Sequence, residues 1–284
     1  MTLTAAGRDA IERAMGRRIV RATALRGGCV AEVWRITLDD GAELVAKLGR
    51  GLALEAYMLD WLRRNGAVPV PAIRLARDDL LLMEFIAHDE GGIGAEAERD
   101  LAAVVARLHG VPGEHFGFEQ DTVIGGLPQP NAASTDWRQF FADYRLRFMA
   151  DQARTAGQLP GRVASRVETL CAKLDRWIDA GAAPALIHGD LWHGNILARG
   201  GRIVGLLDPA IYFADPEIEL AFMTLFGSVG ETFFASYREI HPIASGFFEA
   251  RRHLYNLYPL LVHVRLFGGG YVGQVERILD RFGA

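Results

Sequence analysis

Three polar residues, Asp190, Asn195 and Asp208, stand close together in an otherwise apolar stretch of the chain. With His188, the first two follow the order H-x-D-L-x-x-x-N of a phosphotransfer loop. A phosphoryl group in transfer carries spread negative charge, which Mg²⁺ held by hard oxygen ligands neutralises. Asn195 and Asp208 supply such oxygens, and the carboxylate of Asp190 can accept the proton of an attacking hydroxyl. The pattern predicts phosphoryl transfer to an alcohol, with Asp190 as the base and Asn195 and Asp208 as Mg²⁺ ligands.

The residues between Asn195 and Asp208 must bring the two ligands together. They form a short apolar segment, a turn over residues 199–202 and a second apolar segment, which predicts a tight hairpin. Taken singly, the three polar residues are explained by a loop cap, a turn and a residue before proline. Their joint spacing favours the functional interpretation.

A second group of candidate residues lies in the N-terminal part. Lys47 follows Val45 and Ala46 on a predicted strand, at the position of the kinase V-A-I-K lysine. A lysine in an apolar strand requires an anionic partner, and Glu55 in the next predicted helix can supply it. We expect Lys47 to bind the α- and β-phosphates of ATP and Glu55 to orient it. The alternative is an exposed lysine on an edge strand.

Two backbone features complete the predicted nucleotide site. Gly27 and Gly28 precede the first strand of a hairpin and are candidates for a phosphate-covering loop, although a plain turn explains them almost as well because G-x-G-x-x-G is absent. A strand between two lobes is expected to present its backbone to the adenine edge. That strand consists of Met83, Glu84, Phe85 and Ile86.

The elements that position these residues change in type along the chain. Residues 1–86 contain β-forming stretches, a D-G turn and one or two helical segments, whereas residues 87–284 are mostly helix-periodic with short β-like pieces over 186–214. We predict an α+β, bilobed fold. The small β-rich N-lobe, 1–86, would bind the nucleotide, and the larger helical C-lobe, 87–284, would carry the catalytic loop and the acceptor site.

Composition limits the classes of partner. The 284 residues include 31 Lys and Arg against 35 Asp and Glu, a net charge of −4 that is unlike a general nucleic-acid binder. No apolar run approaches the ~20 residues of a membrane span, and the N-terminal residues carry charges where a secretory segment is apolar. We expect a cytoplasmic protein without a nucleic-acid or membrane partner.

Two cysteines, Cys29 and Cys171, exclude a disulfide framework and indicate a reducing compartment. Cys29 directly follows the glycine pair and is either a small buried apolar residue or a redox-sensitive thiol near the nucleotide. A monomer is expected, and a Cys29-linked dimer is the alternative.

The chain resembles the fructosamine kinase (ketosamine-3-kinase) family, which belongs to the aminoglycoside-phosphotransferase-like branch of the protein-kinase-like fold. The residues that carry the resemblance are His188-Gly189-Asp190-Leu191-Trp192, Gly194-Asn195, Leu207-Asp208-Pro209-Ala210 and Tyr212. The resemblance implies ATP-dependent phosphorylation of a sugar hydroxyl of a ketosamine, a fructosamine or a ribulosamine, and with it deglycation of amines or proteins. It also implies that Trp192 lies in or beside the sugar site, where an aromatic face can stack on a sugar ring; the alternative is a hydrophobic plug.

The chain departs from the family pattern around the expected acceptor site. His193 stands where the family usually has Ser, and Pro216 and Glu219 replace a basic residue and an Asp, whereas Glu217 is retained. We expect His193, Tyr212 and Glu217 near the acceptor, whose identity these changes leave open.

Two other functions remain open from the sequence. An aminoglycoside or choline phosphotransferase of the same fold is one, since Asp215, Glu217 and Glu219 give the acidic character that a polycationic acceptor requires. An ATP-binding pseudokinase is the other. It would be expected to lack the base or a metal ligand, and the chain retains all three.

Overall fold

The computed structural model describes residues 2–25 and 31–284. Its N-terminal part is built on an antiparallel sheet of five strands in the order β1-β2-β3-β5-β4. The strands are β1 (Ile19–Ala24), β2 (Glu32–Leu38), β3 (Glu43–Leu48), β4 (Ile73–Ala76) and β5 (Leu80–Glu84). Helix α1 (Ala5–Met15) precedes the sheet, and α2 (Leu52–Trp61) follows β3 and continues as a π-helical turn over Leu62–Gly66.

The alternation of apolar residues in β2 decides which face of the sheet is covered. Trp34, Ile36 and Leu38 are buried on one face, where they pack with Ile11 of α1. The D-G turn joins β2 to β3 because Gly41 adopts a φ of 86°, a left-handed conformation that favours glycine. This hairpin sets the register that carries Lys47 on β3.

The C-terminal part is mostly helical, with three two-stranded ladders. The ladders are β6 (Thr122–Ile124) with β7 (Leu127–Gln129), β8 (Ala185–Ile187) with β11 (Tyr212–Ala214), and β9 (Ile196–Arg199) with β10 (Arg202–Leu206). The helices are α3 (Ala95–His109), α4 (Trp137–Phe140), α5 (Phe148–Thr155), α6 (Gly161–Cys171), α7 (Glu217–Leu225), α8 (Glu231–Ile240), α9 (Arg252–Tyr255), α10 (Leu257–Phe267) and α11 (Val272–Arg281). The predicted α+β, bilobed fold is confirmed.

Helix α2 connects the two lobes. Its residue Met58 and the following Leu62 are buried in the apolar core of the C-terminal part, not in the core beneath the five-stranded sheet. Trp61 extends this contact, since its ring lies 5.1 Å from that of Phe118. On the other side, Leu52 and Ala56 of α2 pack with Leu81 of β5, so Glu55 on the same helix is held in place by both lobes.

Three sequence predictions lie outside the described residues, because Gly27, Gly28 and Cys29 fall in the segment 26–30. Among the residues that are described, no helix combines the length and the apolar character needed to cross a membrane. Cys171 is a buried free thiol, and burial raises its pKa to about 12.

Candidate active site

The hairpin of β9 and β10 brings the two expected metal ligands together. Ile196 pairs with Leu206, and the amide of Leu207 donates a hydrogen bond of 2.9 Å to the carbonyl oxygen of Asn195. Asp208 follows directly, so that its backbone lies close to that of the asparagine. The second ladder supports this arrangement, because β8 ends just before His188 and pairs with β11 just after Ala210.

Asn195 also orients the expected base. Its Nδ2 donates to the carbonyl oxygen of Asp190 at 2.8 Å and to the carboxylate oxygen Oδ2 of Asp190 at 3.2 Å. These two bonds fix the amide so that Oδ1 accepts no hydrogen bond from the described residues. Burial, followed by the charge of Asp208, raises the pKa of Asp190 to about 7. A carboxyl group with a pKa near neutral is suited to general base catalysis.

Lys47 lies across the cleft from this loop. Its Nζ lies 2.7 Å from Oε1 of Glu55 and also contacts Oδ1 of Asp208. The lysine is buried, so the edge-strand alternative does not apply. Burial acts to lower the pKa of Lys47, but the charges of Glu55 and Asp208 outweigh it and raise that pKa. The side chain therefore stays cationic where phosphate oxygens would lie.

The oxygens of Asn195 and Asp208 fit a Mg²⁺ ion. Among the described residues, Oδ1 of Asn195 accepts no hydrogen bond, and Oδ1 of Asp208 accepts one from the ammonium of Lys47 alone. Among the described residues no group of three or more His, Cys, Asp or Glu side chains is arranged to hold a metal by itself. Such a sparse protein set is typical of Mg²⁺, which keeps several waters and takes substrate phosphates as further ligands.

A buried acid that the sequence suggested only as part of an acidic acceptor region anchors the catalytic loop. Glu219 on α7 accepts a hydrogen bond of 2.7 Å from the amide of Gly189 and one of 3.2 Å from the amide of His188. His109 lies 3.0 Å from the same carboxylate and 2.7 Å from the hydroxyl of Tyr237. Burial would raise the pKa of Glu219, but the hydrogen bond and charge of His109 lower it. The only signal in the sequence was the departure from the family pattern at this position.

The four residues expected near the acceptor separate into two pairs. Trp192 is half-buried and His193 is exposed, with their rings edge to face at 4.7 Å. The Trp192 ring covers Gly194 so closely that a Cβ there would lie 2.6 Å from it. This pair presents aromatic surface directly after the base.

Tyr212 and Glu217 are placed differently. Tyr212 is 1% exposed and lies under the guanidinium of Arg145, 3.9 Å from the ring centre. Both carboxylate oxygens of Glu217 accept hydrogen bonds from Arg251, at 2.5 and 2.9 Å. The structure therefore argues against direct contact of Tyr212 and Glu217 with an acceptor: both are occupied beneath the surface.

The strand between the lobes offers one free amide. Met83 is buried, the amide of Glu84 donates to Ala72, and the amide of Phe85 donates to Glu43 at 3.4 Å. The amide of Ile86 has no partner among the described residues, which makes it the available donor for an adenine edge.

A cavity of about 600 Å³ opens directly after this strand. It is lined by residues 88–97, by His193 and Gly194 of the catalytic loop and by β9. Its size suits a small organic ligand or part of a nucleotide. The cavity therefore borders both the segment that follows the expected adenine strand and the part of the catalytic loop that follows Trp192.

Comparison with known proteins agrees with this geometry. The family model described as fructosamine kinase matches residues 4–283. A Synechocystis protein assigned as a ketoamine kinase is 32% identical over 279 residues, which cover 93% of this chain and 90% of the relative. The chain belongs to the fructosamine kinase family.

Two further relatives extend the comparison. A chloroplastic protein-ribulosamine 3-kinase of Arabidopsis thaliana is 32% identical over 281 residues, covering 93% of this chain and 83% of the relative. The crystal structure of a Thermobifida fusca protein assigned as a fructosamine-3-kinase has a TM-score of 0.84 and 31% identity, and covers 96% of this chain and 98% of that chain. The chain is thus a phosphotransferase of this family, with its kinase-like fold.

Proposed function

We propose that this protein transfers the terminal phosphoryl group of ATP to a sugar hydroxyl of a ketosamine, either a fructosamine or a ribulosamine. The observation that carries the proposal is the convergence of Asp190, Asn195 and Asp208 at one point, opposite the Lys47–Glu55 pair. Phosphorylation would mark the ketosamine for breakdown, so that the amine is released.

The nucleotide is bound between the lobes. The free amide of Ile86 meets the adenine edge, the ribose lies towards the neighbouring cavity, and Lys47 binds the phosphates in the position set by Glu55. Mg²⁺ held by Asn195 and Asp208 would neutralise the charge that develops on the transferred group. Because α2 packs on both lobes, the Lys47–Glu55 pair is assembled in the folded protein without a separate activating step.

The acceptor hydroxyl is placed against Asp190. This carboxylate, oriented by Nδ2 of Asn195, takes the proton as the hydroxyl attacks the phosphoryl group. The sugar lies beside the half-buried Trp192 and the exposed His193, the two aromatic residues that follow Asp190 in the catalytic loop. A sugar ring can stack on such a face through its C–H groups.

The test is ADP release from Mg-ATP with a panel of acceptors: a fructosamine, a ribulosamine, an aminoglycoside and choline. Turnover on a ketosamine, abolished in Asp190→Asn, is the expected result. Turnover only on the aminoglycoside or on choline would support the phosphotransferase reaction but contradict the proposed ketosamine acceptor. Nucleotide binding without turnover on any acceptor would favour an ATP-binding pseudokinase.

A further inference from the structure

Asp208 adopts a backbone conformation that L-residues rarely take. Its φ is 53°, in the left-handed region, and it is followed by Pro209. A residue before proline prefers extended conformations, so the local sequence does not favour this one. Such a conformation persists only where the surroundings hold it, and it commonly occurs at functional sites.

The contacts that hold it converge on Ala210, two residues further on. The amide of Ala210 donates to the carbonyl oxygen of His188 at 2.8 Å, and its own carbonyl oxygen accepts from Nε2 of Gln129 at 3.0 Å. The third constraint is Gly189, with φ 84°, where a Cβ would lie 2.1 Å from the oxygen of Ala210. The peptide after Pro209 is therefore fixed between the catalytic loop and Gln129.

Gln129 is itself held in a single orientation. It is 1% exposed, its Nε2 also donates to Oγ1 of Thr122 at 2.8 Å, and its Oε1 accepts from the hydroxyl of Tyr258 at 2.8 Å. A carbonyl oxygen accepts only, so the amide nitrogen must face Ala210. Every polar atom of this side chain is thus used in the buried network.

A fully buried arginine supports the same network from behind. Arg145 donates to Oδ1 of Asn131 at 2.6 Å, and Nδ2 of Asn131 donates to Oγ1 of Thr122 at 2.8 Å. The guanidinium also stacks on Tyr212, two residues after Ala210. Arg145 therefore connects to both sides of the contact between Gln129 and Ala210: to Gln129 through Asn131 and Thr122, and to the segment of Ala210 through Tyr212.

We infer that Gln129 is a positioning residue for phosphoryl transfer: through the carbonyl oxygen of Ala210 it holds Asp208 in its left-handed conformation, in which its carboxylate contacts Lys47. The inference rests on the proposed function for the role of Asp208 towards Mg²⁺. Without the contact, Asp208 relaxes towards the extended conformation that Pro209 favours, and its carboxylate leaves this position.

The test is Gln129→Met, which keeps the length and volume of the side chain but cannot donate to Ala210. The affinity for ADP is measured with Mg²⁺ and with EDTA. We expect the gain in affinity that Mg²⁺ provides to fall by about tenfold, kcat to fall by about ten- to a hundredfold, and the affinity in EDTA to stay within about twofold.

The matched control is Val167→Ala on α6, which removes buried apolar contacts but no hydrogen bond of the network around Gln129. If a Val167→Ala protein with a similar loss of melting temperature shows the same change in Mg²⁺-dependent affinity, the role of Gln129 is only structural and the inference fails. The inference also fails if Gln129→Met binds Mg-ADP as the wild type does.

If Gln129→Met does not fold, Tyr258→Phe takes its place. This variant removes the hydroxyl that orients the Gln129 amide, and we expect a smaller loss of Mg²⁺-dependent affinity in the same direction; wild-type affinity would overturn the inference. ADP binding requires no acceptor, so this test is independent of the proposed substrate. If the wild type does not phosphorylate ketosamines but Gln129→Met still loses Mg²⁺-dependent ADP affinity, only the proposed acceptor class is contradicted. If Mg²⁺ does not strengthen ADP binding to the wild type, both the inference and the metal role fail.

Discussion

Two groups of acids, less than thirty residues apart along the chain, have opposite environments. Asp190 and Asp208 are only partly buried, and the carboxylate of Asp208 contacts Lys47 of the N-terminal sheet. Asp215, Glu217 and Glu219 are buried, and their oxygens are taken up by tyrosine, arginine and backbone donors. From the sequence alone, all five acids are candidate functional residues. Hydrogen-bond saturation separates the acids that can act on a ligand from those that hold the site in shape.

Among substitutions in the two groups, the largest effect on activity is expected from Asp190→Asn. Asp190→Asn keeps the size of the side chain but removes the proposed base, so kcat should fall by at least about a hundredfold while Mg-ADP still binds. Steady-state kinetics and calorimetric titration measure the two quantities. Wild-type turnover in this variant would mean that Asp190 is not the base.

Asp208→Ala should affect binding instead. It removes one of the two proposed protein ligands of Mg²⁺ and one anionic partner of Lys47, so we expect the Mg²⁺-dependent part of the ADP affinity to fall by about a hundredfold. The affinity in EDTA is the control. Equal Mg²⁺ dependence in variant and wild type would place the metal elsewhere.

Asp215 should affect the stability of the protein and the way this stability depends on pH. Burial, followed by the charge of Glu217, raises the pKa of Asp215 to about 6, so the folded state keeps a proton that the unfolded state releases near pH 4. The contribution of the Asp215 carboxyl to the free energy of unfolding of the wild type therefore falls as pH rises from about 4 to about 6.

Asp215→Asn removes that dependence. Its free energy of unfolding, relative to the wild type, should rise by up to about 3 kcal/mol over this pH range and stay level above it. Urea unfolding at several pH values measures the difference. A difference that does not change with pH would mean that the Asp215 carboxyl titrates alike in both states.

Glu217→Gln should have the smallest effect on the reaction. It breaks a buried ion pair with Arg251, so the melting temperature should fall. The KM for the acceptor should change by less than about twofold, since Glu217 has no oxygen free for a ligand. A large rise in this KM alone would restore the sequence-based prediction of an acceptor contact.

Much of the fold and of the nucleotide site could be predicted because its signals are local. The D-G turn and the alternation in β2 indicate the hairpin that carries Lys47, and the spacing from Asn195 to Asp208 indicates the hairpin that joins them. The supporting residues carry no such signal. Glu219 and Gln129 act through backbone groups of distant segments, and any buried acid or amide would look the same in the sequence.

The sequence by itself determined which residues are candidates for the chemistry: a carboxylate that could act as base, two side chains with hard oxygens at fixed spacing, and a lysine with an acid in the following helix. The short sequence separation of these residues within a hairpin, or between a strand and the next helix, is enough to bring them close together. Only the tertiary structure decided which acids face the cleft, because burial and hydrogen-bond partners come from segments as far apart as Gly189 and Gln129. It also decided that Asp208 is held in a conformation its own sequence disfavours, since that requires contacts from outside the hairpin.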